Sequence, residues 1–362
     1  MYKLFHEVHD MSSLAPQPTP EALDKIRKRF SGVSLDEPLN AMLFDLALEH
    51  ESRRMDGPDF SEGMGYMNGP LPDSIKLMEM KRKMSLAPME AFEQKVRLPT
   101  LPPLIPKLQK AIDESAHSQE IADIIRPDPK LAASILSLVN SPLYSLSTKV
   151  ETLSRAVAII GSKELSNLAL LTRTLAMFED CLPDYIPIRS FWKHSIACAT
   201  LAHSIAMLRG NQDKERFFIA GLLHDLGRLV LFSNFPEMAG VVLAMQKQEN
   251  MSLHEAEMTV FDVDHCLVGG LFFAKWNLPQ GVINAALCHH EPERCQGKDT
   301  AEVVYVANQI ATALGLGCNQ VYDMPTGEGV WESLGISPTE IRTLLVGLDA
   351  VLYEMFHSLI GE

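Results

Sequence analysis

The chain has 362 residues, 32 Lys+Arg against 46 Asp+Glu for a formal net charge of −14, and 46% hydrophobic residues. That is enough for two modest domains or one large one with a real core, and it excludes wholesale disorder. The acidic balance argues against duplex DNA, RNA or anionic lipid as the main ligand, because phosphate binding needs a basic patch.

The start, MYKLFHEVHDMSSLAPQ, has no basic segment followed by an apolar one, and no stretch approaches the roughly 18 apolar residues of a membrane span. A cytoplasmic protein without membrane contact is therefore expected. Cys181, Cys198, Cys266, Cys288, Cys295 and Cys318 form no C-x-x-C pair and mostly fall in apolar segments. They read as buried reduced thiols rather than zinc knuckles or disulfides.

The first 95 residues predict a helix over 20–30 after Thr19-Pro20 and another over 35–54 after a Ser34…Glu37 capping box. Gly57–Pro72 reads as a flexible loop. Met42, Met55, Met64, Met67, Met78, Met80, Met84 and Met89 make this extension methionine-rich. Met64-x-x-Met67 could suit copper(I), but flexible filler or an adaptable partner surface is the stronger reading. The basic runs at 25–29 (KIRKR) and Lys81–Lys83 read as solvated helix faces, so no nucleic acid is expected.

From Leu98–Pro106 onward the periodicity is helical and strand signals are nearly absent. Asp128-Pro129 opens a helix with Leu131, Ile135 and Leu138 as its apolar stripe. Gly161 stops the helix of 156–160, CLPDYIP at 181–187 interrupts the pattern, and a Ser337…Glu340 capping box leads into a helix over 341–359. The fold class is all-α. Expected boundaries are 1–95 for the extension, 96–297 for the main domain (subdomains about 96–183 and 188–297), and 298–362 for a C-terminal helical hairpin completing or packing on it.

Phe217–Phe232, FFIAGLLHDLGRLVLF, reads as one buried helix with His224 and Asp225 in its middle. A buried carboxylate needs a cation, a metal or several donors. Gly221 and Gly227 each cost about 1 kcal/mol relative to Ala in a helix, which close approach of a neighbouring helix would explain. His194, His265, His289 and His290 lie on other helices and can supply partners. Imidazoles from several helices plus a His-Asp pair suit a divalent metal that activates water or polarises a phosphate ester. Core imidazoles bonded to backbone or Asp225 explain His194 and His224 about equally well. His265 could simply follow an N-capping Asp262 or Asp264, and one of His289-His290 a helix C-terminus. Adjacent helical residues project about 100° apart, so His289 and His290 are not expected to face one metal equally. His6, His9, His50, His117, His203, His254 and His357 read as ordinary.

Taken together these phrases resemble the HDOD (HD-related output domain) family of bacterial signalling proteins. Leu98–Pro106 is similar to its LPxLP lead-in, and Asp128–Leu131 with Val139–Tyr144 to DPxL…NSxxY. AVAIIG at 156–161, FWKH at 191–194 and GLLHDLG at 221–227 follow in order, then Val268–Gly270, Trp276-x-Leu278-Pro279 and His289-His290. The resemblance spans roughly 98–295 and implies kinship with HD and HD-GYP metal phosphohydrolases. It carries over His194, His224, Asp225, His265, His289 and His290 as candidate metal ligands, with iron, manganese, zinc or nickel as the implied ion. Where catalytic relatives place a last aspartate this chain has Asn308, and Gly227-Arg228 stands where HD-GYP enzymes have Gly-Lys.

The implied function is a regulatory module acting through protein partners in two-component or cyclic-dinucleotide circuits, without catalysis. The alternative is a metal-dependent phosphohydrolase acting on a nucleotide or cyclic dinucleotide. In that case His224 and Asp225 would be catalytic, and Arg228 and Lys193 the nearby phosphate-binding cations, for both of which a solvated position is the alternative. A homodimer is compatible with the sequence but not required by it.

Overall fold

The computed structural model describes residues 18–53, 96–144, 146–178, 182, 188–211, 213–249, 251–317 and 328–360. The 57–72 loop, the methionines from Met55 to Met89, Lys81–Lys83, Cys181, Cys318 and the 181–187 interruption apart from Leu182 lie outside these. The helices in chain order are α1 (Pro20–Arg29), α2 (Pro38–Arg53), α3 (Leu104–Asp113), α4 (Ser118–Ile125), α5 (Pro129–Val139), α6 (Leu153–Ile160), α7 (Ser162–Met177), α8 (Ile188–Leu208), α9 (Lys214–Leu223), α10 (Leu226–Asn234) and α11 (Pro236–Glu249). They continue with α12 (Leu253–Phe261), α13 (His265–Lys275), α14 (Gln280–Cys288), a 3-10 turn at Pro292–Arg294, α15 (Asp299–Leu314), α16 (Glu328–Leu334), α17 (Pro338–Leu345) and α18 (Leu348–Ile360). Among the described residues there is no strand, as the all-α reading expects.

Among the described residues the chain forms two compact units, one within 100–180 and 345–362, the other within 15–99 and 181–344. In the first unit, Asp128 accepts from Leu131 N at 3.1 Å to start α5 and also pairs with Arg173. Asn140 ends α5 and clamps the following loop: its amide donates to Leu136 O at 2.7 Å and Val150 O at 2.8 Å, and its oxygen accepts from Val150 N at 2.7 Å. Tyr144 hydroxyl bonds Glu164 on α7. The Asp-Pro and Asn-Ser-Pro-Leu-Tyr phrases thus close a helical turn and its loop, a structural task.

In the second unit α8 is buried from Ser190 to Ala206 and packs on α9 and α15, while α10 packs on α13, α13 on α14 and α14 on α15. Several expectations are corrected here. Phe217–Phe232 is not one helix: it breaks at His224–Asp225 (φ, ψ −50°, −39° and −93°, 1°), giving α9 and α10. The segment Lys214–Asn234 does reach membrane-span length and hydropathy (21 residues, 1.2), and 89% of its most apolar window is buried within the protein. The helix expected over 341–359 is broken at Gly347, whose φ of 74° ends α17. Ser34 Oγ accepts from Asp36 N at 3.3 Å, and α2 starts at Pro38. Cys288 and Cys295 form a disulfide, because the turn after α14 returns the chain to a Cα–Cα separation of 6.3 Å.

The two glycines flanking His224–Asp225 are contact points between backbones. A Cβ on Gly221 would lie 2.8 Å from Cys198 O, and one on Gly227 2.0 Å from His265 O and 2.5 Å from Gly269 N. Neither neighbour is a side-chain end that could swing away. Gly227→Ala is therefore expected to push α10 from α13 and cost about 3 kcal/mol. Gly329→Ala on α16, where the nearest atom is Glu293 Oε1 at 3.8 Å, is expected to be neutral or better. Thermal denaturation of the two variants checks this.

Candidate metal centre

The α9–α10 break turns Asp225 into the middle of the second unit, where its side chain is 2% exposed. Four helices deliver imidazoles to it. His265 Nε2 lies 3.2 Å from Asp225 Oδ1, His289 Nε2 3.4 Å and His224 Nε2 3.5 Å; His194 Nε2 lies 3.9 Å from Oδ2. Arg228, one turn on, donates to Oδ2 at 2.8 Å. The four imidazoles are at most 2% exposed.

The ring tautomers follow from what the other nitrogen touches. His194 Nδ1 faces Leu316 O at 2.9 Å, His224 Nδ1 faces Gly221 O at 2.6 Å, and His289 Nδ1 faces Ala285 O and Ala286 O at 3.1 Å. His265 Nδ1 faces the fully buried carboxylate of Glu257, which also accepts from His265 N at 3.0 Å. All of these partners only accept, so every Nδ1 carries a proton and every Nε2 is turned toward Asp225. An imidazole fixed through one nitrogen by a carbonyl or carboxylate, with the other aimed inward, is how metal-ligating histidines are oriented. His224 Nε2, Asp225 Oδ1 and Glu257 Oε1 are buried without a hydrogen-bond partner. This donor set, with His224 Nε2 and Asp225 Oδ1 as its orphaned inward atoms, fits a divalent transition ion.

Without an ion the same atoms hold protons. Burial raises the Asp225 pKa, but Arg228, His224, His265 and His289 outweigh it and hold it well below the ordinary range. Burial lowers His265 and His289, yet Cys266, Asp225 and, for His265, Glu257 raise His265 well above normal and His289 to about 9. Burial keeps His194, His224 and His290 below the normal value and so neutral. Despite its burial, the Cys266 thiol is drawn down to about 5 by His265 and His289. Asp225 and Cys266 are thus held toward their charged forms beside Arg228, His265 and His289, and an ion binding there would displace protons from the inward nitrogens.

Comparison with known proteins places this arrangement. The family model of the HDOD domain matches residues 98–292. The chain belongs to the HDOD domain family. A solved HDOD domain protein of unknown function from Geobacter sulfurreducens is similar at 24% identity and TM-score 0.62, over 79% of this chain and 98% of that one. A structure from Shewanella amazonensis SB2B, named as a candidate phosphohydrolase, aligns at 20% identity and TM-score 0.60 (74% and 97%). One from Marinobacter aquaeolei VT8, named as a candidate signal transduction protein, aligns at 19% and 0.58 (85% and 70%). An uncharacterized protein of Treponema pallidum (strain Nichols) is 27% identical over 225 residues, 61% of this chain and 42% of that relative, so the chain spans less than half its length.

In this HDOD domain, His194, His224, Asp225, His265 and His289 converge. His290 joins them through His265, whose Nε2 is 3.2 Å from His289 Nε2 and 3.3 Å from His290 Nε2. Both neighbouring histidines reach one point because α14 ends at Cys288 and the 100° helical rule lapses there. Arg228 is not solvated: it is 6% exposed and paired with Asp225. Lys193 is likewise buried (9%), outside the set of cations within 4 Å of Asp225. Asn308 Oδ1 lies beside His194, 3.9 Å from Cys198 Sγ and 3.4 Å from Thr312 Oγ1.

Sequence reading missed Glu257, Cys266, His254 and Asp264. Glu257 was detectable, standing at i+4 between Leu253 and Phe261 on the buried face of α12. His254, read as ordinary, lies with Nδ1 3.2 Å from Asp264 Oδ2. Also missed was the support of His194 from the N-terminal helices. Arg29 of α1 donates to Ala313 O at 3.0 Å and lies over Gly315, the residue that ends α15. The chain then passes Leu316 O to His194 and crosses it so closely that a Cβ on Gly317 would sit 2.1 Å from His194 Cβ.

Two predictions follow from these geometries. Arg228→Ala leaves a buried carboxylate without its guanidinium and is expected to cost about 3–5 kcal/mol. In a double-mutant cycle with Asp225→Asn, measured by denaturant unfolding, the pair is expected to cost about 1–3 kcal/mol less than the sum. His203, apart from the centre, is 4% exposed, and its pKa is lowered to about 4 by burial and Lys214. Its contribution to stability is full above the unfolded value near 6.5 and declines as pH falls toward 4, by about 1.4 kcal/mol per unit at most. His203→Gln is expected to flatten the pH dependence of the melting temperature in that interval.

Proposed function

We propose that this HDOD domain is a metal-binding signalling module without hydrolytic turnover, which acts through contact with protein partners in two-component or cyclic-dinucleotide circuits. The observation that carries the reading is the set of four Nδ1-anchored imidazoles turned on Asp225. Asp225 gives its second oxygen to Arg228, and the centre is nearly closed to solvent. His194, His224, Asp225, His265, His289 and His290 would hold the ion, of the iron, manganese, zinc or nickel class. Such an ion would supply Lewis acidity and, when the whole centre is enclosed, structural cross-linking.

Three features favour regulation over hydrolysis. Arg228 occupies one oxygen of Asp225 and leaves Oδ1 toward His265, His289 and His224, and Asn308 offers a neutral oxygen. A phosphate ester would also need an open position beside groups that are at most 2% exposed. The names of the Shewanella and Marinobacter structures divide between the two readings. The first 95 residues would act as the specific adaptor, with 96–297 as the signalling domain and 298–362 completing its core.

The protein purified without chelator is expected to carry near-stoichiometric transition metal, lost in His224→Ala, and to leave phosphodiesters and cyclic dinucleotides intact. Turnover that vanishes in His224→Ala would establish the phosphohydrolase reading instead. Metal-free wild type would remove the metal from the proposal.

A further inference from the structure

The inward face of the centre is imidazole and carboxylate, but one flank carries sulfur. Cys266, the second residue of α13, has its thiol 3.9 Å from both ring nitrogens of His289. One ligand atom from each of His254, Asp264 and Cys266 lies within 4.8 Å of the others, and Cys266 stands in the same relation to His265, His289 and His290. The His254 and His290 rings lie tilted to each other with centroids 5.5 Å apart. Cys266, Asp264 and His254 are therefore a nitrogen, oxygen and sulfur set joined to the main cluster through His290, and none of the three surrounds Asp225.

These side chains stand on well-anchored helix starts. The Ser252–Glu255 capping box begins α12 two residues before His254, with Glu255 N donating to Ser252 Oγ at 3.2 Å. Asp264 accepts from Leu267 N at 2.8 Å through Oδ1 and turns Oδ2 to His254. The flank is also where the cluster meets solvent: His254 is 38% exposed and Asp264 16%, against 2% or less for the four imidazoles around Asp225. An ion could reach it without opening the core.

We propose that His254, Asp264 and Cys266 form a second, sulfur-bearing metal position beside the His-Asp centre, selective for a zinc-class ion. Thiolate, imidazole and carboxylate, with water in the fourth place, are a set of the kind zinc and cobalt(II) take, and a poor one for magnesium or calcium, which want oxygen alone. The ion would tie the start of α12 to the start of α13. The position does not require the inner centre to be loaded.

The test is a cobalt(II) titration of the metal-stripped full chain, following the thiolate-to-cobalt charge-transfer absorption in the near ultraviolet. The band is expected in wild type, absent in Cys266→Ser with the stoichiometry lower by one ion, and retained in His224→Ala. The last arm separates this proposal from the inner-centre reading, because His224→Ala removes an inner ligand only. A wild type without the band overturns the proposal. So does a band that survives Cys266→Ser, which would move the sulfur ligand to another cysteine such as Cys198. Loss of the band in His224→Ala would mean a single shared site and also overturns it. If Cys266→Ser does not fold, the half-exposed His254→Ala carries the test: cobalt(II) affinity is expected to fall about tenfold or more, and unchanged affinity overturns the proposal.

Discussion

An ionised carboxylate in the middle of an apolar helical unit can persist only if cations or metals reach it, because unpaired burial costs several kcal/mol. Asp225 sets that requirement, and much of the surrounding architecture answers it. The helix carrying it breaks at His224–Asp225, and four helices turn imidazoles toward the break. Arg228, one turn on, takes the oxygen they leave. Gly221 and Gly227 are bare because the backbones of α8 and α13 must come that close for their histidines to arrive. Packing and electrostatics here serve one constraint.

The histidines are not interchangeable within it. Each is aimed by the acceptor behind it: Leu316 O for His194, Gly221 O for His224, Glu257 for His265, and the last carbonyls of α14 for His289. Those acceptors leave the inward nitrogens to be filled either by protons or by an ion.

The N-terminal helices belong to this account through Arg29. Its guanidinium holds the end of α15, and the same few residues then pass Leu316 O and Gly317 against His194. Glu49 of α2 and Arg342 of α17 add a bidentate pair at 3.0–3.1 Å. α1 is thus linked through Arg29 to the segment whose Leu316 carbonyl orients His194.

Much of this was legible in the order of residues. The helical period, the Asp128, Gly161 and Ser337 boundary signals and the ordered motif phrases define an all-α HDOD chain. Asp225 in an apolar run announces a buried cluster, because no packing tolerates that group alone. What one dimension could not show is which distant groups share its surroundings. Asp225 and Arg228, three residues apart, could be paired from sequence, but not the four imidazoles that join them. Glu257 and Cys266 look like ordinary residues until α12 and α13 pack, and Cys288 and Cys295 like separate thiols until the turn between them closes. Local propensity and hydrophobic period are properties of neighbouring residues, so the sequence alone determined the helices and the need for a charged centre. Ring orientation and ligand grouping depend on contacts such as His194 to Leu316 and His265 to His289, far apart in sequence, and only the tertiary structure decided them.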